Sequence, residues 1–203
     1  MINLTLYAKL LSTLELVNWK DRGVYAEWLS QQYHLVRHSV PLLYHCSAHA
    51  FFRAPKIANY VGRLADGELN HDKLLLNDLK FIKMNMAPES TEAKSIISNQ
   101  YYEIQYGSPY YYLGYVYLLE KLAIDYGGKL QSIIQEHYDG GYTFLKVHNA
   151  EDIAHLANAE KMFATFTDEE RAALGRGFDQ ACELYSAMIV NIDIPSYQLL
   201  HAS

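Results

Sequence analysis

Several things are scarce in this chain, and each scarcity excludes something. Only two cysteines, Cys46 and Cys182, occur in 203 residues, which leaves no room for a disulfide framework and points to a reducing cytosol. No apolar run approaches the roughly 20 residues that a membrane helix needs, so a membrane partner is not expected. Positive charge is not in excess. A net charge of −6 and a pI near 5.8 argue against nucleic acid or an anionic lipid surface as the main partner. Lys9 and Glu15 interrupt the first apolar stretch and no small-residue cleavage site follows, so a secretory leader is not expected. Internal repeats and low-complexity linkers are missing too. With half of its residues hydrophobic and a fifth charged, the chain reads as one soluble, cytoplasmic domain over residues 1–203, long enough to bury a real core.

Strand signals are equally scarce. A short alternating piece follows Gly140 and Gly141 in "GGYTFLKVH", and "MIVNIDIP" carries a β-branched run; both are short enough to be helix beginnings and ends. Helical periodicity fills the rest. Leu6, Leu10, Leu11, Leu14 and Val17 step at threes and fours, as do Trp28, Leu29, Tyr33 and Val36. The pattern returns at Leu74, Leu75, Leu79, Phe81 and Ile82. Pro109 opens another helix, for which Gly127 and Gly128 are the expected stop. Thr167, three residues before Glu170, reads as a capping box. Loops are expected near 83–91, 106–109 and 138–141. The expected architecture is an all-α bundle of about seven to nine helices.

Chemistry enters at residues 147–155, "VHNAEDIAH". On a helix, His148, Asp152 and His155 fall on one stripe. That stripe is either half of a metal site or the wet face of an ordinary helix. Two other segments complement it. "GELNHDKLLLNDLK" sets Glu68 and His71 three residues apart, one helical turn from each other, although charged neighbours also allow a solvated face. Glu120 stands among Leu118, Leu119, Leu122 and Ala123 in a nearly uncharged helix, where a carboxylate is costly unless paired, hydrogen-bonded or metal-bound. Three histidines and three carboxylates from three helices suit two first-row metals of the oxygen-using type, iron first and manganese second. Asp78, seven residues after His71, is a candidate to orient an imidazole from behind; a surface salt bridge is the alternative.

These segments resemble a known family. "FLKVHNAEDIAHLANAEK" is similar to the "FL-x-V-H-x-x-x-D-x-x-H" helix of the heme-oxygenase-like di-iron oxidase superfamily, the group that includes the chlamydial protein associating with death domains. "GELNHDKLLLNDLK" resembles its "E-x-x-H-x-x-x-L-x-x-D-L" segment, and "SPYYYLGYVYLLE" its proline-led helix ending in a metal-binding glutamate. "WLSQQYHLVRHSVPLLYHCSAHA" is similar to its early helix across the bundle. The resemblance touches roughly residues 25–165. It implies a heme-oxygenase-like fold and two irons per chain held by Glu68, His71, Glu120, His148, Asp152 and His155. One departure stands out: some members carry the first glutamate where this chain has Leu64. The implied activity is oxidation of a small organic substrate by O2 with an external electron donor; the substrate is not implied. Metal-free TenA-like enzymes or hydrolases of the same fold, and a binding protein without turnover, remain open alternatives.

Other features have plainer readings. His34, His38, His45 and His49 lack accompanying carboxylates and suit packing or capping, with a heme ligand as the alternative for His38, His45 or His49. Neither cysteine has an obvious base beside it in sequence, as the thiaminase-like hydrolases of this fold would require. The 18 tyrosines, crowded between Tyr101 and Tyr117, read as aromatic core with polar tips, with radical transfer or tyrosine oxidation as the functional alternative. The aromatic content also suggests a homodimer.

Overall fold

The computed structural model describes residues 2–192, apart from the side chains of residues 150–155 and 157. Ten α-helical segments follow in order: α1 (Leu4–Leu16), α2 (Arg22–Val36), α3 (Ser39–Ala50), α4 (Pro55–Gly67), α5 (His71–Phe81), α6 (Thr91–Tyr106), α7 (Pro109–Leu122), α8 (Gly128–His137), α9 (Thr143–Phe163) and α10 (Asp168–Ile192). A π-helical turn, Ala123–Gly127, joins α7 to α8 without a break, so the ten segments make nine rods. No strand occurs among the described residues. Neither segment with strand character is a strand where it is described: from Thr143 onward the first opens α9, and the second closes α10.

Local signals set most boundaries. Asn3 and Asp21 accept from the free N–H groups that open α1 and α2, and Ser90 and Ser108 do the same for α6 and α7. Pro109 occupies the first turn of α7, where its missing N–H costs nothing. Thr167 N–H donates to Glu170 Oε2 at 2.7 Å while Glu170 N–H donates to Thr167 Oγ1 at 3.3 Å, the expected reciprocal cap. The breaks near 83–91, 106–109 and 138–141 all fall between helices.

The glycine stop does not hold. The helix runs through Gly127 and Gly128 into α8, because the π turn is pinned from outside. Tyr126 donates its hydroxyl to Leu14 O (3.0 Å) and accepts from the Trp19 indole N–H (3.0 Å). Asp125 accepts from Tyr7 (2.8 Å) and pairs with Lys121 (2.9 Å). Gly127 serves close approach instead: a Cβ there would overlap the Asn149 side chain on α9.

The core is one continuous cluster reaching most helices. α2 lies at its centre, buried from Val24 to Gln32 without interruption, which a helix can tolerate only if its polar side chains find partners. They do. Ser30 Oγ accepts from Ala87 N–H (3.0 Å), Gln31 Oε1 accepts from Ser90 N–H (2.9 Å), and the Gln31 amide donates to Pro88 O (2.9 Å). The loop between α5 and α6 is thereby sewn onto α2. α7 and α10 pack most extensively. They cross glycine to glycine: a Cβ at Gly114 would overlap the α10 backbone at Leu174 and Phe178, and one at Gly177 would overlap Tyr111 O. This crossing sets the positions of Glu120 and Tyr185, further along the same two helices. No described helix is long and apolar enough to cross a membrane.

Candidate metal centre

Glu68 and His71 meet, but not as two positions on one helix. Glu68 is the C-terminal cap of α4 and His71 the first residue of α5. Between them Asn70 takes the left-handed conformation, with φ of 71°, which asparagine tolerates better than most residues. The chain folds back here, and Glu68 Oε2 comes to 3.2 Å from His71 Nδ1. The expected single-helix geometry is therefore replaced by a corner, while the expected juxtaposition is present.

His148 comes from the second turn of α9, its ring centroid 5.0 Å from that of His71 at an interplanar angle of 81°. Glu68, His71 and His148 each offer one ligand atom, all within 4.8 Å of one another. The 3.2 Å Glu68–His71 separation suits adjacent ligands on one ion with bonds of about 2.1 Å. Mixed imidazole and carboxylate donors match first-row metals, so the residues fit an iron or manganese ion. Glu120, on α7, is 7% exposed and lines the same cavity as Glu68 and His148. The side chains of Asp152 and His155 lie outside the described residues.

The cavity beside the cluster has a volume of about 130 Å³. Leucines from α1, α3, α4, α7, α8 and α9, together with Trp28, Phe144, Tyr112, Tyr115 and Tyr126, make its wall mostly apolar.

Residues 26–186 match the model of a protein family described as iron-containing redox enzymes. The chain belongs to the iron-containing redox enzyme family. No curated protein matches the sequence. Among solved structures, a domain of unknown function with a heme oxygenase-like fold from Shewanella denitrificans is similar at a TM-score of 0.85, with 18% identity over 100% of this chain and 96% of that one. A TenA homologue from Pseudomonas syringae pv. tomato gives 0.71, with 13% identity over 85% and 79%. A CADD-like protein of unknown function from Nostoc punctiforme gives 0.67, with 14% identity over 94% and 86%. Identities this low carry the fold alone, and the fold is heme-oxygenase-like.

In this family member the region around the cluster is shaped by residues the sequence did not single out. Phe144 lies against the His148 ring, 4.3 Å between centroids, and Trp28 meets Phe144 edge-on at 6.3 Å. Burial pushes the Tyr60 phenol well above its ordinary range, with the nearby Glu120 carboxylate adding to it. The same holds for Tyr112 and Tyr115, where burial dominates and Glu68 is among the lesser causes. These phenols stay protonated at neutral pH. Tyr112 and Tyr115 had the tyrosine crowding between Tyr101 and Tyr117 as their only signal in the sequence, and Tyr60 had none.

Asp78 has a different position from either expected one. It is fully buried, which excludes the surface salt bridge, and its bonded partners are on the opening turn of α9. Oδ1 accepts from Thr143 N–H (2.9 Å) and the Thr143 hydroxyl (2.6 Å), and Oδ2 accepts from Phe144 N–H (2.9 Å). It therefore holds the helix that carries His148 rather than an imidazole directly.

The four early histidines are dispersed. His34 Nε2 lies 2.9 Å from Ala87 O, His38 Nδ1 lies 3.2 Å from the Tyr101 hydroxyl, and His45 packs on His49. Both cysteines are buried, and burial pushes each thiol up to about 12, far from a ready nucleophile.

Proposed function

We propose that this chain is a non-heme iron oxidase or oxygenase that uses O2 on a small organic molecule. The observation that carries the reading is the convergence of Glu68, His71 and His148 beside a mostly apolar cavity, in a member of the iron-containing redox enzyme family. Glu68, His71, Glu120 and His148, with Asp152 and His155 from the same helix as His148, would hold two iron ions; manganese is the second choice. Bound ferrous iron would supply open coordination positions for O2 and the electrons to reduce it, replenished by an external donor.

The chain's own residues have definable tasks. The carboxylates offset the charge of the metal, and the imidazoles complete its coordination without adding charge. Phe144 fixes the face of the His148 ring, and Asp78 fixes the helix under both. The leucine and tyrosine wall offers an apolar surface to a small substrate and would reduce the water around the reacting atoms. The buried, high-range thiols give the metal-free cysteine hydrolase reading no support.

The test is an anaerobic titration of metal-stripped protein with ferrous iron, followed by O2. Two irons per chain, an O2-dependent change in the visible spectrum, and loss of both in His148→Ala and Glu120→Ala are the expected results. One iron per chain would keep the oxidase and revise its stoichiometry. Absence of specific iron binding would overturn it and leave a metal-free TenA-like enzyme.

A further inference from the structure

The cavity has a second polar corner that the metal cluster does not use. Tyr185 on α10 lines it, buried, and its phenolic oxygen accepts from the Gln32 amide at 2.8 Å and the Trp28 indole N–H at 3.4 Å. A hydroxyl has two acceptor sites and one proton. With both acceptor sites taken, the proton must point elsewhere, and among the described residues nothing accepts it. The indole, the amide and the phenol together carry four polar hydrogens and use two among themselves. With the amide as placed the spare donors are the Tyr185 hydroxyl and one Gln32 N–H, and with the amide reversed they are both Gln32 N–H groups, so the corner holds two spare donors either way. Burial pushes the Tyr185 phenol up to about 12, against the opposing bonds from Trp28 and Gln32, so it remains a donor at neutral pH.

The corner has a defined relation to the metal cluster. Trp28 packs on Phe144 and Phe144 on His148, so an aromatic wall runs from the donor corner to the imidazole. A ligand lying along that wall would have one end at Tyr185 and the other near the cluster. The cavity's volume of about 130 Å³ is close to that of an apolar cavity that holds benzene, and so suits a body of roughly six to nine heavy atoms. The ligand's charge is bounded as well. Among the described residues no lysine or arginine lines the cavity, so a carboxylate at the donor corner of the iron-free protein would lie beside Tyr185, Gln32 and Trp28 with no cationic side chain to pair it.

We propose that Tyr185, with Gln32 and Trp28, is the recognition corner for a neutral carbonyl oxygen on a small apolar ring or chain, and that this is the substrate class of the enzyme. The inference rests on the cavity being the substrate site of the proposed oxidase, but it can be read without turnover. Full-length, iron-free protein is titrated calorimetrically with three probes of similar size: cyclohexanone, toluene and cyclohexanecarboxylate. Cyclohexanone is expected to bind about tenfold more tightly than toluene, the worth of one buried hydrogen bond, and the carboxylate more weakly than either. Tyr185→Phe, which removes only the hydroxyl, is expected to erase the ketone preference while leaving toluene affinity and iron stoichiometry unchanged. Gln32→Leu reads the same preference if the first variant does not fold.

Equal affinity for toluene and cyclohexanone, a preference that survives Tyr185→Phe, tightest binding by the carboxylate, or no binding of any probe would each overturn the proposal. The two readings fail separately. An intact ketone preference without iron binding would sink the oxidase alone; iron binding without the preference would sink this inference alone.

Discussion

Asp78 on α5 caps Thr143 on α9 from a different helix, accepting both its backbone N–H and its hydroxyl. The second carboxylate oxygen takes Phe144 N–H, so one buried side chain satisfies two of the orphan donors that open α9. Four residues further along the same helix is His148.

Removing that carboxylate should therefore be felt twice. Asp78→Ala is expected to destabilise the fold by about 2–4 kcal/mol, because charge-assisted hydrogen bonds are lost and the N–H groups remain buried. Asp78→Asn, which keeps one acceptor, should recover part of this. Iron affinity should fall with Asp78→Ala even where the protein remains folded, since His148 loses its anchor. Urea unfolding and ferrous titration on the same samples separate the two effects; unchanged iron affinity in the folded variant would mean that α9 is positioned by packing alone.

The α7–α10 crossing leaves no space for a methyl group on either side. Gly114→Ala and Gly177→Ala should each cost about 1–3 kcal/mol through forced separation of the two helices. For a chain of this size that corresponds to a fall in Tm of roughly 2–12 °C. Gly67, where nothing lies within 4 Å, is the control. Its replacement by alanine should leave the melting temperature unchanged or slightly raised.

A metal role for the corner between α4 and α5 can be distinguished from a metal role for the early histidines. His71→Ala should lower the iron count per chain, measured after anaerobic loading and desalting. His45→Ala should not, because His45 has His49 and Tyr101 as its ring neighbours and no carboxylate grouped with it among the described residues. The opposite pattern would move the metal centre to α3.

Stability should also fall on mild acidification. Burial and then Arg37 push His38 below the usual histidine value of 6.5, with Glu89 opposing and His34 adding to the depression; burial and then His49 lower His45. Below pH 6.5 the unfolded chain takes up protons that these folded histidines refuse, so stability is lost as pH falls through that window and levels off beneath the folded values. Urea midpoints of metal-free protein at pH 7.5 and 5.5 should show the loss, and the double substitution His38→Gln, His45→Gln should reduce it.

Much of this protein was legible in the sequence because helices are local objects. The 3.6-residue period, the capping residues and the breaks near 83–91, 106–109 and 138–141 each depend on neighbours a few positions away, and they determined an all-α bundle before any contact was known. The candidate ligands could be singled out in one dimension for the same reason: Glu120 is a lone carboxylate among apolar neighbours, and Glu68, His71 and His148 carry ligand chemistry at helical spacing. Tertiary structure decided what has no local signature. Gly127 looks like a stop until Tyr126 and Asp125 are seen bonded to α1, and Glu68 and His71 look like one helical face until Asn70 turns the chain between them. Tyr185 and Gln32 lie 153 residues apart, and only the packing of α10 on α2 brings the phenol and the amide to one corner of the cavity.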